Sequence, residues 1–239
     1  MITGINFAVG FYKRNKENEL KNARLQTRLA DAKLQALKMQ IHPHFLFNSL
    51  NSLSTLIVKK ENEKADRMLS VFSDFLRMSL VNSNEQEIPL KSELRFAKNY
   101  LEIEKIRFGD KLSVHFDISA ETENLLVPGL ILQPLIENSI KYAIAPRLDG
   151  GIIIIRANIK NDKLLLDVED NGNGKNQNTG NASTGIGLKN TKERLRQLYG
   201  DDQKFEVKNL GNGFKVSVLF PVKISLENPG KVEEIHKIT

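Results

Sequence analysis

Apolar residues recur along this chain with different periods, and each period predicts a different element. From Asn15 to about Val58 only Pro43 breaks a helical spacing. Leu20, Ala23, Thr27, Ala30, Leu34, Leu37 and Ile41 lie three and four residues apart. That is a coiled-coil seam, weakened by Thr27 and the alanines, with charges on the remaining faces. After His44 the pattern changes. Phe45, Leu46, Phe47, Leu50, Leu53, Leu56 and Ile57 cover most of the circumference, and such a helix must be buried in a bundle. A polar turn at 59–64 leads to a second helix over 65–81, with Ala65, Met68, Leu69, Phe72, Phe75, Leu76 and Leu80 as its stripe. Two helices on a short connection form an antiparallel hairpin. One hairpin buries too little alone, so two copies are expected to pair as a four-helix bundle, a homodimer.

Residues 82–89 read as a polar linker and 90–108 as a third helix carrying Leu94, Ala97, Tyr100 and Leu101. Then strand-like alternation begins. Residues 112–118 predict a strand, and 128–144 a helix opened by Pro128. Residues 151–159 and 163–169 predict a hairpin around Lys160-Asn161-Asp162. A polar, glycine-rich loop covers 171–184 and a helix 187–199, with Leu188, Leu195 and Leu198 inward. Strands at 205–207 and 214–220 flank the turn Gly211-Asn212-Gly213. The fold class is α+β: a helical hairpin followed by an α/β sandwich with helices on one face of a mixed sheet. The expected domains are an apolar start (1–12), a coiled and helical region (13–111), a sandwich domain (112–223) and a tail (224–239).

Composition narrows the function. In 239 residues, 40% are hydrophobic and 27% charged, as in ordinary globular proteins. The absence of cysteine excludes disulfides and thiolate metal sites. The net charge is +6, but it is scattered. Its densest cluster, Lys13, Arg14, Lys16, Lys21, Arg24 and Arg28, is interrupted by Glu17 and Glu19 and has no interleaved aromatics. This argues against direct nucleic-acid binding. The first twelve residues are mostly apolar, too few to span a bilayer, which takes about 20. Followed by Lys13-Arg14, they read either as the cytoplasmic exit of a membrane helix whose upstream part lies outside this chain, or as a frayed amphipathic start.

Candidate chemistry collects in three places. On a regular helical wheel of about 100° per residue, Leu132, Ile136, Ile140 and Ala143 face the sheet, while Asn138, Lys141 and Tyr142 share the opposite, exposed surface. An amide oxygen, a cation and a ring suit Mg²⁺, phosphate and the sugar or base of a nucleotide. The same trio equally describes a solvated helix face. Asp170-Asn171-Gly172-Asn173-Gly174 follows a strand. Its carboxylate can accept from an adenine amino group, and its glycines allow close approach, although a simple turn uses the same residues. Gly185-Ile186-Gly187-Leu188 opens a helix whose free amides favour phosphate. Neither a dinucleotide fingerprint nor a Walker-type loop is present.

In order and spacing these three elements resemble the N, G1 and G2 boxes of the ATP-binding fold shared by histidine kinases, Hsp90, gyrase and MutL-type ATPases. Upstream, Gln40-Ile41-His42-Pro43-His44-Phe45-Leu46-Phe47-Asn48-Ser49-Leu50-Asn51 resembles the phosphoacceptor box of the LytS/YehU-type sensor histidine kinases. Leu132-Gln133-Pro134-Leu135-Ile136-Glu137-Asn138, Gly185-Ile186-Gly187-Leu188-Lys189-Asn190 and Tyr100-Leu101-Glu102-Ile103-Glu104 before Arg107-Phe108 are similar to the same family. The resemblance implies an ATP- and Mg²⁺-dependent kinase that phosphorylates its own His44 and then an aspartate on a response regulator of LytTR type. It also implies a membrane-spanning sensor upstream. Carried over by position, Asn138 binds Mg²⁺, Lys141 and the helix start at Gly185 and Gly187 contact phosphate, and Asp170 with Gly172 and Gly174 recognises adenine. Tyr142 and Leu188 complete the site, and the loop 171–184 closes over ATP. His42 stands where the family more usually has asparagine. A wheel places it about 160° from His44, so the two should not face one nucleotide together.

Two departures bear on mechanism. Phe45 follows His44 where many histidine kinases have an acidic residue, so a base partner is unassigned; Asn48 could orient the ring. Pro134 stands where hydrolytic relatives carry a water-activating glutamate, which disfavours a free-standing ATPase. Glu137 reads either as a positioning group for water or metal or as a plain ion pair. The alternative to a kinase is a dimeric pseudokinase that binds ATP and signals by conformation.

Overall fold

The computed structural model describes residues 43–82, 85–172 and 186–224, together with Lys16. The chain divides between Asn48 and Ser49 into two compact units. The coiled-coil seam, His42, the apolar start and the tail beyond residue 224 lie outside the described residues. No helix among the described residues is long and apolar enough to cross a membrane.

Helix α1 (Pro43–Val58) carries His44, and α2 (Asn62–Asn82) follows after a tight turn. Lys60 occupies the left-handed region at φ 59°. The Glu61 amide donates to Leu56 O at 2.9 Å, and Ala65 donates to Glu61 O at 3.0 Å. Helix α2 starts at Asn62, before the expected Ala65, because Asn62 and Glu63 suit a helix start. Ala65, Met68, Phe72 and Phe75 are buried as expected, whereas Leu69 faces solvent. Along α1, Phe47 is 64% exposed, and Leu50, Ile57 and Val58 are also exposed. A single copy thus leaves much of the apolar circumference uncovered.

Helix α3 (Leu90–Phe108) packs on α2. Phe75 stacks on Phe96 with centroids 4.7 Å apart and tilts against Tyr100 at 6.2 Å. The stretch expected to be a plain linker contains strand β1 (Glu87–Pro89). It pairs antiparallel with β3 (Leu126–Pro128), bringing together the buried pair Ile88 and Val127. Pro128 therefore ends a strand instead of opening a helix. In a two-stranded ribbon every strand is an edge, where proline's missing N–H costs little.

The main sheet is β2 (Leu112–Ile118), β4 (Gly151–Lys160), β5 (Lys163–Asp170), β7 (Phe214–Pro221) and β6 (Lys204–Asn209), in the order 2-4-5-7-6. The β2–β4 pair is parallel and the others are antiparallel. Cross-strand rows Ala157–Leu166–Val218 and Ile155–Val168–Val216 are buried. The next row is Ile153–Asp170–Phe214. Side chains two residues apart share a face, so Asp170 projects into the core layer. Helix α4 (Leu132–Ser139), with its continuation over Ile140–Ile144, and α5 (Ile186–Tyr199) cover that face. Tyr199 of α5 stacks on Phe220 of β7 at 5.1 Å.

Candidate functional site

Asp170 ends the inward row of β5 and is only 6% exposed. Its Oδ2 accepts the Ser139 hydroxyl at 2.8 Å and its Oδ1 accepts the Gly172 amide at 3.1 Å. Burial pushes its pKa above the ordinary aspartate value, against the pull of those two donors. Each carboxylate oxygen has a further lone pair, so the group can still accept from a ligand. A Cβ on Gly172 would lie 2.7 Å from Ala143 Cβ and 3.0 Å from its Cα. Only glycine lets this backbone close on α4. Gly213 is required for a related reason: at φ +151°, a Cβ there would sit 2.0 Å from Asp170 O.

Asn138 lies one residue before Ser139 on α4. It is 9% exposed, and its side-chain amide makes no hydrogen bond among the described residues. An amide oxygen unengaged among the described residues, next in sequence to the serine that holds a buried carboxylate, fits a hard cation held between protein and phosphate. Asn138, Lys141 and Tyr142 do not form the exposed trio expected of a regular helix. Lys141 and Tyr142 are exposed but Asn138 is not. Residues 140–144 that follow form a π-turn, with Ala145 N donating to Ile140 O at 2.8 Å. The wider turn changes the angle from Asn138 to Lys141 and Tyr142 from that of a regular wheel. Within it the Lys141 ammonium lies 4.9 Å from the Tyr142 ring centroid, a cation–π contact.

Asn171, expected in the mobile loop, is instead fixed to the sheet end. Its Oδ1 accepts the Ile152 amide at 2.7 Å, and its carbonyl accepts from Arg147 at 2.6 Å. On α5, Gly187 lies against Pro134 of α4, where an added Cβ would make an ordinary contact at 3.5 Å. The Thr191 hydroxyl donates to Gly187 O at 2.9 Å. Leu188 is buried in the core. Gly174, Gly185 and residues 173–185 lie outside the described residues.

Glu137 accepts from Gln133 at 2.8 Å, and its charge bears on Tyr100 and Glu104 of α3. Glu104 is buried, with Arg107 at 2.9 Å. Burial pushes the Glu104 pKa up to about 7; Arg107 opposes the shift and Glu137 adds to it. Sequence reasoning missed Ser139, Glu93 and Arg194. Glu93 was detectable, because it interrupts the apolar stripe that also contains Leu90, Leu94 and Ala97. Its carboxylate accepts the amides of Leu130 and Leu132 where α4 opens. Ser139 gave no signal, since its partner lies 31 residues away.

A mixed sheet covered on one face, an amide-bearing helix and a strand-end carboxylate define a nucleotide-binding ATPase fold. Residues 126–224 match the family model of histidine kinase-, DNA gyrase B- and HSP90-like ATPases, and residues 32–112 match the histidine kinase model. The chain thus joins a histidine kinase region to a histidine kinase-like ATPase domain, the pairing found in its sensor histidine kinase relatives. It is 34% identical over 220 residues to the sensor protein LytS of Staphylococcus epidermidis, covering 87% of this chain and 37% of that one. It is 35% identical over 184 residues to the sensor histidine kinase BtsS of Escherichia coli, covering 77% and 32%. The chain thus spans about a third of the length of these curated relatives. Among solved structures, the kinase domain of a blue-light activated histidine kinase from Erythrobacter litoralis aligns over 80% of this chain and 94% of that one, at 16% identity and a TM-score of 0.47.

Proposed function

We propose that this chain is the kinase portion of a sensor histidine kinase that binds ATP, phosphorylates its own His44 and passes the phosphoryl group to an aspartate of a response regulator. The observation that carries this reading is the buried Asp170, held on α4 by Ser139 beside the unengaged amide of Asn138. Asp170 would accept from the adenine amino group, with Gly172, Gly174 and Tyr142 around the nucleoside. Lys141 and the helix start at Gly185 and Gly187 would contact phosphate, and buried Leu188 would anchor that start. Asn138 would hold Mg²⁺, which supplies charge neutralisation on the phosphates.

In the transfer step a neutral imidazole nitrogen of His44 attacks the γ-phosphorus. An N–P bond forms and the bond from that phosphorus to the β,γ-bridging oxygen breaks. ADP leaves, and the imidazole proton passes to solvent. An unperturbed histidine is mostly neutral at pH 7, so its lone pair is available. The exposed apolar face of α1 supports pairing with a second copy as a homodimer. The family resemblance supports a LytTR-type regulator and attachment to a membrane through an upstream segment, with the kinase portion on the cytoplasmic side.

The test is transfer of label from γ-labelled ATP. Acid-labile label on the wild type and on His42→Ala, with none on His44→Ala, is the expected outcome. Label persisting on His44→Ala overturns the assignment. Tight ATP binding with no label on the wild type favours the conformational module.

A further inference from the structure

Glu93 of α3 has no solvent exposure. Its Oε2 accepts the backbone N–H of Leu130 and its Oε1 that of Leu132, both at 2.8 Å. These amides open α4, which carries Asn138 less than two turns further on. The first amides of a helix have no partner within it, and the dipole favours an anion there. A carboxylate delivered from another helix therefore fixes both where α4 begins and how it is rotated.

Two further observations mark this contact as more than a cap. Leu130 stands at φ 59°, a left-handed conformation unusual for a leucine, and its own N–H is one of the two that Glu93 holds. Arg194 of α5 donates to the carbonyls of Gly129 and Gln86, and its charge bears on Glu93. Helices α3, α4 and α5 thus meet at one buried carboxylate, and α5 is the helix that starts beside Gly187.

We propose that Glu93 is the positioning residue of the metal asparagine: by clamping residues 129–132 it holds α4 in the rotation that offers the Asn138 amide oxygen to the cation. The inference rests on the assignment of Asn138 to Mg²⁺. Glutamine cannot take over this role. It has one acceptor oxygen, and its NH₂ would face the second backbone N–H. Glu93→Gln therefore frees Leu130 to relax, and α4 turns about its axis. Asp170 sits on β5, takes no hydrogen bond from the clamp and, whether or not Ser139 stays in reach, keeps the Gly172 amide on its Oδ1. Base recognition should survive while metal-linked affinity falls.

The measurement is calorimetric titration of the full chain with the non-hydrolysable analogue AMP-PNP, in Mg²⁺ and in EDTA. The wild type is expected to gain affinity with Mg²⁺, and Asn138→Ala to lose that gain. Glu93→Gln is expected to lose about tenfold or more of the gain, as for other groups that orient a metal ligand, with its EDTA affinity unchanged. Arg194→Gln, which keeps the carboxylate, is expected to show a smaller loss of the same kind, and it decides the matter if Glu93→Gln does not fold. A full Mg²⁺ gain in these variants, or equal weakening in Mg²⁺ and EDTA, overturns the proposal. A wild type without the gain, or an Asn138→Ala variant that keeps it, overturns the metal assignment and this inference together.

Discussion

The Ser139 hydroxyl donates to Asp170 Oδ2 at 2.8 Å, joining the last turn of α4 to the end of β5. The two residues are 31 positions apart, and both are buried. This bond ties the last turn of the asparagine-bearing helix to the strand-end carboxylate.

Ser139→Ala removes that donor and leaves a buried carboxylate oxygen short of a partner. The expected cost is about 1–3 kcal/mol of stability, with weaker adenine-nucleotide binding. Urea unfolding and nucleotide titration check both. Unchanged stability would mean that water replaces the hydroxyl.

Gly172→Ala places a Cβ 2.7 Å from Ala143 Cβ. Backbone must shift, because neither neighbour is a flexible side chain. Overpacking of this kind costs about 1–3 kcal/mol. Adding Ala143→Gly removes the nearest obstacle and should restore much of the stability. A double-mutant cycle reads the coupling, and additive losses would exclude the contact as the cause.

Stability should fall as pH rises from about 5 to about 7. Burial pushes the Glu93 pKa up to about 7, against the amides of Leu132, Leu130 and Ile131 and the charge of Arg194. Burial likewise raises Glu104 to about 7, with Arg107 and Tyr100 opposing the shift and Glu137 adding to it. The unfolded chain releases both protons near the ordinary glutamate value of 4.5. Between these limits the folded state binds more protons, so each group removes up to about 1.4 kcal/mol per pH unit. Above about 7 the slope levels off. Urea unfolding at several pH values measures it, and Glu104→Gln should remove about half. An unchanged slope in that variant would show that Glu104 does not titrate there.

Much of the site was legible because strand and helix periods are local. Alternation along β5 buries Leu164, Leu166 and Val168 and carries Asp170 to the same face. The stripe of Leu132, Ile136, Ile140 and Ala143 packs inward as the wheel predicts. The wheel failed at Asn138, which it set on the exposed face with Lys141 and Tyr142 and which is buried. The β1–β3 pair escaped because each strand has three residues, too few to establish an alternation.

The sequence alone determined the order of the helices and of the five main-sheet strands, and put a carboxylate and glycines at the end of β5, because side-chain period and the turn preference of Asp, Asn and Gly act within a few residues. Tertiary structure decided that Glu93 caps a helix 37 residues away and that Arg194 reaches Gln86 across 108 positions. A hydrogen bond between distant segments depends on how whole elements pack, and no local pattern of polarity encodes which buried donor a charged side chain will meet.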